Sequence, residues 1–223
     1  MIKAVLCDMD GILYDSEQFY LDGNYTVLQQ LGYTGGKEAM LGSIGLTMEG
    51  IYSVYAKLMD GIADRHEIIK AISAHYAAEP PDYKAIMFPD VPEALRSLRD
   101  EGILLACCSS SPLQIIEESL RQMGIPDVFA FVESGERITH AKPAPDIYLS
   151  AAAALGVRAD ECAVYEDSDI GIAAGKAAGM LVIAREDHRF NQKQDRADHI
   201  VRSAAEMAAL VRKENLHAGS HTD

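Results

Sequence analysis

Short apolar runs that alternate with helical patterns constrain the fold of this chain more than any other feature. Runs suited to buried parallel strands occur at residues 2–7, 103–108, 128–132, 162–165 and 180–184, with a weaker one at 199–201. From residue 90 onward, helical spacing of apolar residues predicts helices between them, at residues 92–100, 112–123, 145–155, 170–178 and 204–212. This alternation predicts βαβ units and therefore an α/β fold, a doubly wound parallel sheet with a Rossmann-like core.

The region between the first two strands has a different pattern. Residues 16–79 contain no convincing strand and predict helices near residues 16–31, 47–59 and 65–78, separated by glycine-rich breaks. We therefore expect an inserted all-helical domain at 16–79, a core at 1–15 and 80–214, and a disordered polar tail at 215–223. One continuous α/β domain is the alternative, and the long run without strands disfavours it.

Charge and targeting signals limit the partners of the chain. A formal net charge of −14 disfavours a nucleic-acid or anionic-membrane partner, so a phosphate-bearing ligand would need a local positive site. The apolar run before Asp8 is far shorter than the ~20 residues of a membrane span, so we expect no signal peptide. The cysteines lie in strand-like runs without metal spacing, which indicates reduced thiols. We expect a cytoplasmic protein and a monomer.

Two carboxylates, Asp8 and Asp10, follow the first predicted strand and precede Gly11. Repulsion between close carboxylates raises a pKa unless a cation relieves it, and Mg²⁺ prefers such oxygen ligands. A carboxylate at this place could attack a phosphoryl group, and a second one could protonate the leaving oxygen and later deprotonate a water. The pair thus indicates phosphoryl-transfer chemistry at the carboxyl edge of the sheet.

Three further sites also follow predicted strands. Hydroxyl and backbone N–H groups of the serines at 109–111, before Pro112, could hold a phosphate. Lys142 could neutralise phosphate charge and keep the nucleophile ionised. Glu166 and Asp167 could supply the remaining oxygen ligands of a Mg²⁺ shared with Asp8.

Each of these sites, taken alone, also fits a structural role. The first acidic pair fits a solvated turn, the serines fit a helix N-cap, Lys142 fits a surface lysine, and the second acidic pair fits a helix start. His140 is a further candidate, although a lone histidine in a polar loop is more often solvated. The regular placement of all four sites after strands favours a shared active site.

Together these motifs resemble the haloacid dehalogenase-like hydrolase superfamily, in its β-phosphoglucomutase-like phosphatase branch with a helical cap. The resemblance spans nearly the whole chain and rests on the strings DMDGILYDSE (8–17), SSSP (109–112), KPAPDIY (142–148) and EDSDIGIAAGKAAGM (166–180). It implies that residues 16–79 form a mobile cap that excludes water and recognises the leaving group.

The resemblance also implies a role for each site residue. It makes Asp8 the nucleophile and a metal ligand, and Asp10 the general acid and base, with its backbone carbonyl on the metal. It makes Lys142 the bridge between the transferred phosphoryl group and Asp8. The phosphoryl group would bind Ser109 with backbone help from Ser110, and the Mg²⁺ would bind Asp8, Asp10, Glu166 and Asp167.

The cap departs from the pattern of sugar-phosphate mutases in this branch. Mutases carry a histidine and an arginine where this chain carries Tyr20 and Met48, so a grip on a second phosphate is missing. We therefore expect a Mg²⁺-dependent phosphatase acting on a small phosphorylated metabolite, such as a sugar phosphate. The cap candidates for substrate binding are Tyr20, Leu46, Thr47, Met48 and Glu49.

Other functions stay open at this point. A phosphosugar mutase is the first alternative, and a phospho-ligand-binding regulatory protein is the non-enzymatic one. A dehalogenase is disfavoured because it needs no metal site. A phosphonatase would need a cap lysine, and Lys57 and Lys70 have the spacing of surface residues.

Overall fold

The computed structural model describes residues 1–44, 46, 48–190 and 193–219. The chain divides into two compact units, Met1–Tyr14 with Tyr83–Asp223, and Asp15–Asp82. We call the first the core unit and the second the cap unit. None of the described helices is long and apolar enough to cross a membrane.

The core unit is built on one parallel sheet with strand order β3-β2-β1-β4-β5-β6. The strands are β1 (Ala4–Cys7), β2 (Leu104–Ser109), β3 (Phe131–Ser134), β4 (Cys162–Glu166), β5 (Leu181–Arg185) and β6 (His199–Val201). The order reverses at β1, which pairs with β2 on one side and with β4 on the other. Ligands of doubly wound sheets bind beyond the strand ends at such a switch point. The predicted fold class is confirmed.

Helices cover both faces of the sheet. The core unit contains α4 (Tyr83–Ile86), α5 (Val91–Asp100), α6 (Leu113–Gln122), α7 (Asp146–Leu155), α8 (Asp169–Ala177) and α9 (Ala204–Gly219). Alternate residues of β1 enter opposite cores: Val5 and Cys7 pack with α5, α6 and α9, whereas Ala4 and Leu6 pack with α7 and α8. At Gly175 of α8 an added Cβ would lie 2.8 Å from a methyl of Val182, so the small residue permits close contact with the sheet.

The C-terminal helix is longer than predicted. Residues 215–219, which we expected to be disordered, continue α9, and residues 220–223 lie outside the described part of the chain. The Asn215 amide accepts a hydrogen bond from the Ile2 backbone N–H at 2.5 Å and donates one to the Ile2 carbonyl at 2.9 Å. These bonds link α9 to the chain just before β1, a long-range pairing that local sequence does not reveal.

The cap unit contains α1 (Ser16–Gln30), α2 (Met48–Leu58) and α3 (Arg65–Ala78), with a 3-10 helix at Lys37–Ser43 that we did not predict. Its described residues, which leave out Gly45 and Thr47, form no strand. A buried polar network joins the elements: the Tyr76 hydroxyl donates to Asn24 Oδ1, while the Asn24 amide and the Ser43 hydroxyl donate to the Tyr55 hydroxyl. Satisfied polar networks of this kind specify one packing arrangement.

Candidate active site

Three buried carboxylates meet at the carboxyl edge of the sheet. Asp8 follows β1. Glu166 is the last residue of β4, and Asp167 follows it. Cys7 pairs with Tyr165 in the sheet, and the Asp8 N–H donates to the Tyr165 carbonyl at 2.9 Å. One oxygen from each carboxylate lies within 4.8 Å of the others. The strand register thus brings together acids that are far apart in sequence.

Lys142 connects two of these acids. Its Nζ donates to Asp8 Oδ1 at 2.6 Å, to Glu166 Oε1 at 2.8 Å and to the Cys108 carbonyl at 3.3 Å. The lysine side chain is only 4% exposed. A buried ammonium group requires such partners, because burying a charged group without a counter-charge costs on the order of several kcal/mol. The ion pairs therefore fix the Nζ between the ends of β1, β2 and β4.

Glu166 is held by donors on both of its oxygens. Oε1 also accepts from the Tyr148 hydroxyl at 3.0 Å, and the Tyr148 ring lies under Lys142 with its centroid 5.0 Å from Nζ. Oε2 accepts from the Asp167 N–H at 2.8 Å and from the Ser168 N–H and hydroxyl at 3.0 Å. Glu166 consequently ties the loop before α8 to Lys142.

Burial and the neighbouring charges together raise the pKa of Asp8 and lower that of Glu166. Burial raises the pKa of Asp8, and the carboxylates of Glu166 and Asp10 raise it further, while Lys142 opposes the shift. Burial would also raise the pKa of Glu166, but the Lys142 ammonium and the hydrogen bonds from Ser168 and Tyr148 together outweigh it, and the pKa is lowered. Asp8 and Glu166 likewise outweigh burial and raise the pKa of Lys142 well above its usual range. The lysine is therefore a permanent cation.

Two glycines make room for the acids. Gly11 has φ +70°, and a Cβ there would lie 2.2 Å from Asp167 Oδ2. A Cβ at Gly171 would lie 1.6 Å from Glu166 Oε1. A side chain at either position would push the carboxylate away from the cluster, so both glycines are required by the site geometry.

The donor set fits a hard divalent cation. Asp8, Glu166 and Asp167 provide oxygen atoms only, and one lysine balances three acids. Such a surplus of buried negative charge, with the raised pKa of Asp8, suits Mg²⁺ rather than a thiolate- or imidazole-preferring metal. Among the described residues, the carboxylate of Asp10 is not part of this cluster. We expect Asp10 to contact the metal through its backbone carbonyl instead.

Asp10 is placed by a neighbouring tyrosine. The Tyr14 hydroxyl donates to Asp10 Oδ1 at 2.8 Å, and the Tyr14 ring is 1% exposed. The backbone between them turns tightly, since the Gly11 N–H donates to the Tyr14 carbonyl at 3.1 Å. Sequence reasoning did not assign Tyr14 a role, and its position inside the first motif was the available signal.

The serine loop differs in part from its expected form. Ser109 ends β2 and is 1% exposed, whereas Ser110 is exposed. The predicted free N–H groups at the start of α6 are partly occupied, because Ser111 donates to Ser109 Oγ and Leu113 donates to a carboxylate oxygen of Glu136. Glu136 follows β3, so the start of α6 is capped by a residue distant in sequence and not by one of the serines.

The remaining sequence candidates have local partners. His140 is exposed, and its Nδ1 lies 2.9 Å from Asp146 Oδ2. In the cap unit Tyr20 packs edge-on against Tyr76 with ring centroids 5.3 Å apart, and Glu49 pairs with Arg65. Met48 is 58% exposed and Leu46 is 45% exposed, while Thr47 lies outside the described residues. Their part in substrate binding stays a prediction.

Tyr148 and Gln194 are site-supporting residues that sequence reasoning missed. Tyr148 lies six positions beyond Lys142 in the motif that begins with that lysine, but its bond to Glu166 depends on the fold. The Gln194 amide donates to the backbone carbonyls of Asp167 at 2.7 Å and Arg185 at 2.6 Å. It joins the loop after β4 to the end of β5, and no sequence signal marks it.

Comparison with known proteins adds independent support. Residues 5–185 match the family model of haloacid dehalogenase-like hydrolases. The chain belongs to the haloacid dehalogenase-like hydrolase family. It is 32% identical over 197 residues to hexitol phosphatase B of Escherichia coli (strain K12), with 85% of this chain and 88% of that protein covered. The suspected family is confirmed, and the chain is a hydrolase of the phosphatase type.

Two further relatives agree with this assignment. The chain is 27% identical over 192 residues to a β-phosphoglucomutase of Bacillus subtilis (strain 168), covering 82% of each. A crystal structure of a haloacid dehalogenase family hydrolase from Deinococcus radiodurans R1, with bound phosphate and sodium, superposes with a TM-score of 0.79 at 26% identity. That comparison covers 96% of this chain and 97% of the other. The sugar phosphatase and phosphoglucomutase branch is thus the one this chain resembles.

Replacing Lys142 tests the buried ion pairs. We expect Lys142→Met to lower the free energy of unfolding by roughly 3–5 kcal/mol, because Asp8 and Glu166 then lose their buried counter-charge. The matched control is Lys176→Met, which removes a partly exposed pair with Asp198 and should cost less than about 1 kcal/mol. Urea unfolding followed by far-UV circular dichroism measures both, and equal losses would contradict the role given to Lys142.

Proposed function

We propose that this protein is a Mg²⁺-dependent phosphatase that hydrolyses a small phosphorylated metabolite through an aspartyl-phosphate. The observation that carries the proposal is the hydrogen bond from the buried Lys142 ammonium to Asp8 Oδ1 at the carboxyl edge of the sheet, which favours the carboxylate form and opposes the upward pKa shift that burial causes. A carboxylate that is already ionised and oriented is the form needed for attack on phosphorus. The hexitol phosphatase relative supports a phosphorylated sugar or polyol as the substrate class.

The first half-reaction uses Asp8 and Asp10. An Asp8 carboxylate oxygen forms a bond to phosphorus while the bond from phosphorus to the leaving oxygen breaks. Protonated Asp10 gives its proton to that leaving oxygen, which departs as an alcohol. Lys142 stabilises negative charge on the phosphoryl oxygens, and Ser109 at the end of β2 is the residue we assign to hold one of them.

The second half-reaction returns Asp8. Asp10, now a carboxylate, takes a proton from a water whose oxygen attacks phosphorus, and the bond to Asp8 breaks to release inorganic phosphate. Asp8, Glu166, Asp167 and the Asp10 carbonyl would hold the Mg²⁺. When bound, the ion supplies positive charge that offsets the clustered acids and the phosphoryl oxygens.

A substrate panel tests the proposed activity. Phosphate release with Mg²⁺ is measured for hexitol phosphates, hexose phosphates, phosphoglycolate and nucleoside monophosphates, with β-glucose 1-phosphate included and glucose 6-phosphate followed separately. We expect phosphate from hexitol or hexose phosphates. Glucose 6-phosphate without phosphate release would instead identify a mutase, and the inference from Tyr20 and Met48 would be wrong.

Isosteric amides test the two aspartates. We expect Asp8→Asn to lose turnover by several orders of magnitude, because the amide is a poor nucleophile, and Asp10→Asn to lose about 10²–10⁴-fold, as for a general acid. The control is Asp169→Asn, which changes a half-buried acid paired with Arg196 near the same loop and should keep full activity. Full activity of Asp8→Asn would contradict the role of Asp8 as the nucleophile. Unfolding of either variant would mark the pair as structural.

Removal of the metal provides a further test. We expect a chelator to abolish phosphate release and Mg²⁺ to restore it. If Mg²⁺ binds only the folded state, it should stabilise the protein by about 2.7 kcal/mol at a Mg²⁺ concentration 100 times the dissociation constant. The thermal midpoint of unfolding should rise accordingly. Asp167→Asn should lose most of that shift. Full activity in the chelator, or an equal shift in the variant, would contradict the metal assignment.

A further inference from the structure

The hydroxyl of Tyr14 has no task in the reaction outlined above. It donates to Asp10 Oδ1 at 2.8 Å from a ring that is only 1% exposed. A buried hydroxyl aimed at a carboxyl group fixes the plane of that group, because the hydrogen bond weakens steeply away from its preferred direction. Asp10 itself is only partly buried, so the Tyr14 hydrogen bond adds to what restricts its side-chain rotamer.

Tyr14 is itself rigidly held. The Tyr14 carbonyl accepts from the Gly11 N–H, and the preceding Leu13 carbonyl accepts from the Phe88 N–H at 3.1 Å. Tyr14 also forms an antiparallel bridge with Met87. These contacts tie the first segment of the core unit to its second segment through the backbone.

The ring of Tyr14 is held as well. It packs edge-on against Tyr83 with ring centroids 5.1 Å apart and an interplanar angle of 64°. Such aromatic pairs add about 0.5–1.5 kcal/mol beyond their burial. Tyr14 ends the first segment of the core unit and Tyr83 begins the second. The Tyr14 hydroxyl is thus rigidly held within the core unit, next to the Asp10 side chain that transfers the proton.

We propose that Tyr14 is a positioning residue that orients Asp10 for proton transfer to the leaving oxygen. This inference rests on the proposed function, since it takes Asp10 as the general acid and base. Tyr14 keeps its own proton throughout. When Asp10 has given its proton to the leaving oxygen, the Tyr14 O–H faces a full carboxylate, and a hydrogen bond to a charged acceptor is the stronger kind. The bond therefore stabilises Asp10 in the state that later accepts a proton from water.

Leaving groups of different basicity separate this role from a structural one. An alkyl phosphate such as a hexitol phosphate needs a proton on its departing oxygen, whereas p-nitrophenyl phosphate releases a weakly basic phenolate. We expect Tyr14→Phe to lower kcat/KM for the alkyl substrate about tenfold or more relative to that for p-nitrophenyl phosphate, a part of the full general-acid effect. The ratio of the two kcat/KM values does not depend on the fraction of enzyme that is folded.

The matched control is Tyr165→Phe. Tyr165 is equally buried in the same core cluster, but its hydroxyl is not hydrogen-bonded to Asp10. We expect this variant to keep the wild-type ratio. A proportional loss on both substrates in Tyr14→Phe, or no loss on either, would overturn the inference.

A double-variant cycle completes the test. If Tyr14 acts through Asp10, adding Tyr14→Phe to Asp10→Asn should change kcat/KM for p-nitrophenyl phosphate by less than about threefold, within the scatter of non-additivity. A further large loss would show an independent role for Tyr14 and overturn the inference. Failure of the proposed function is distinguishable, because Asp10→Asn would then keep full activity on the alkyl phosphate whatever Tyr14→Phe does.

Discussion

The pair of ion contacts made by Lys142 is the interaction on which the rest of the site depends. One ammonium, almost fully buried, joins the carboxylates of Asp8 and Glu166. Burial disfavours the charged form of each acid, and the Lys142 ammonium opposes that effect on both pKa values. The surplus negative charge that remains explains why a hard cation suits the site. Electrostatics, more than packing, therefore decides what this edge of the sheet can bind.

The backbone supplies what the charges cannot. Reversal of strand order at β1 places the ends of β2 and β4 beside Asp8, so the site forms where the topology leaves a crevice. The carboxylates of Asp167 and Glu166 lie where a side chain at Gly11 or Gly171 would otherwise be, so both positions need glycine. Small residues in this region are thus as much a part of the site as its acids.

The two units of the chain differ in how they achieve a unique structure. The core unit packs apolar residues on both faces of its sheet. The cap unit combines buried apolar residues, such as Leu28 and Ile68, with hydrogen bonds among Tyr76, Asn24, Tyr55 and Ser43. In the core unit, the Tyr14–Tyr83 contact brings together the points where the chain leaves and re-enters. Asp10 accepts a hydrogen bond from Tyr14, so the acid lies beside this contact.

The sequence by itself determined the fold class, the order of the strands and of the longer helices, and three acids that the structure clusters, because periodicity and strand-end motifs are local properties. It did not predict the short helix α4 or the 3-10 helix at Lys37–Ser43. Tertiary structure alone decided the remainder. It continued α9 beyond Asn215 and placed Glu136 at the start of α6. It also set the Tyr14 hydroxyl on Asp10 and the Gln194 amide on the Asp167 carbonyl. Each of these depends on hydrogen bonds whose partners are set by chain geometry. Residue type and spacing indicate which groups are available, but only the folded backbone fixes the distances and angles at which they meet.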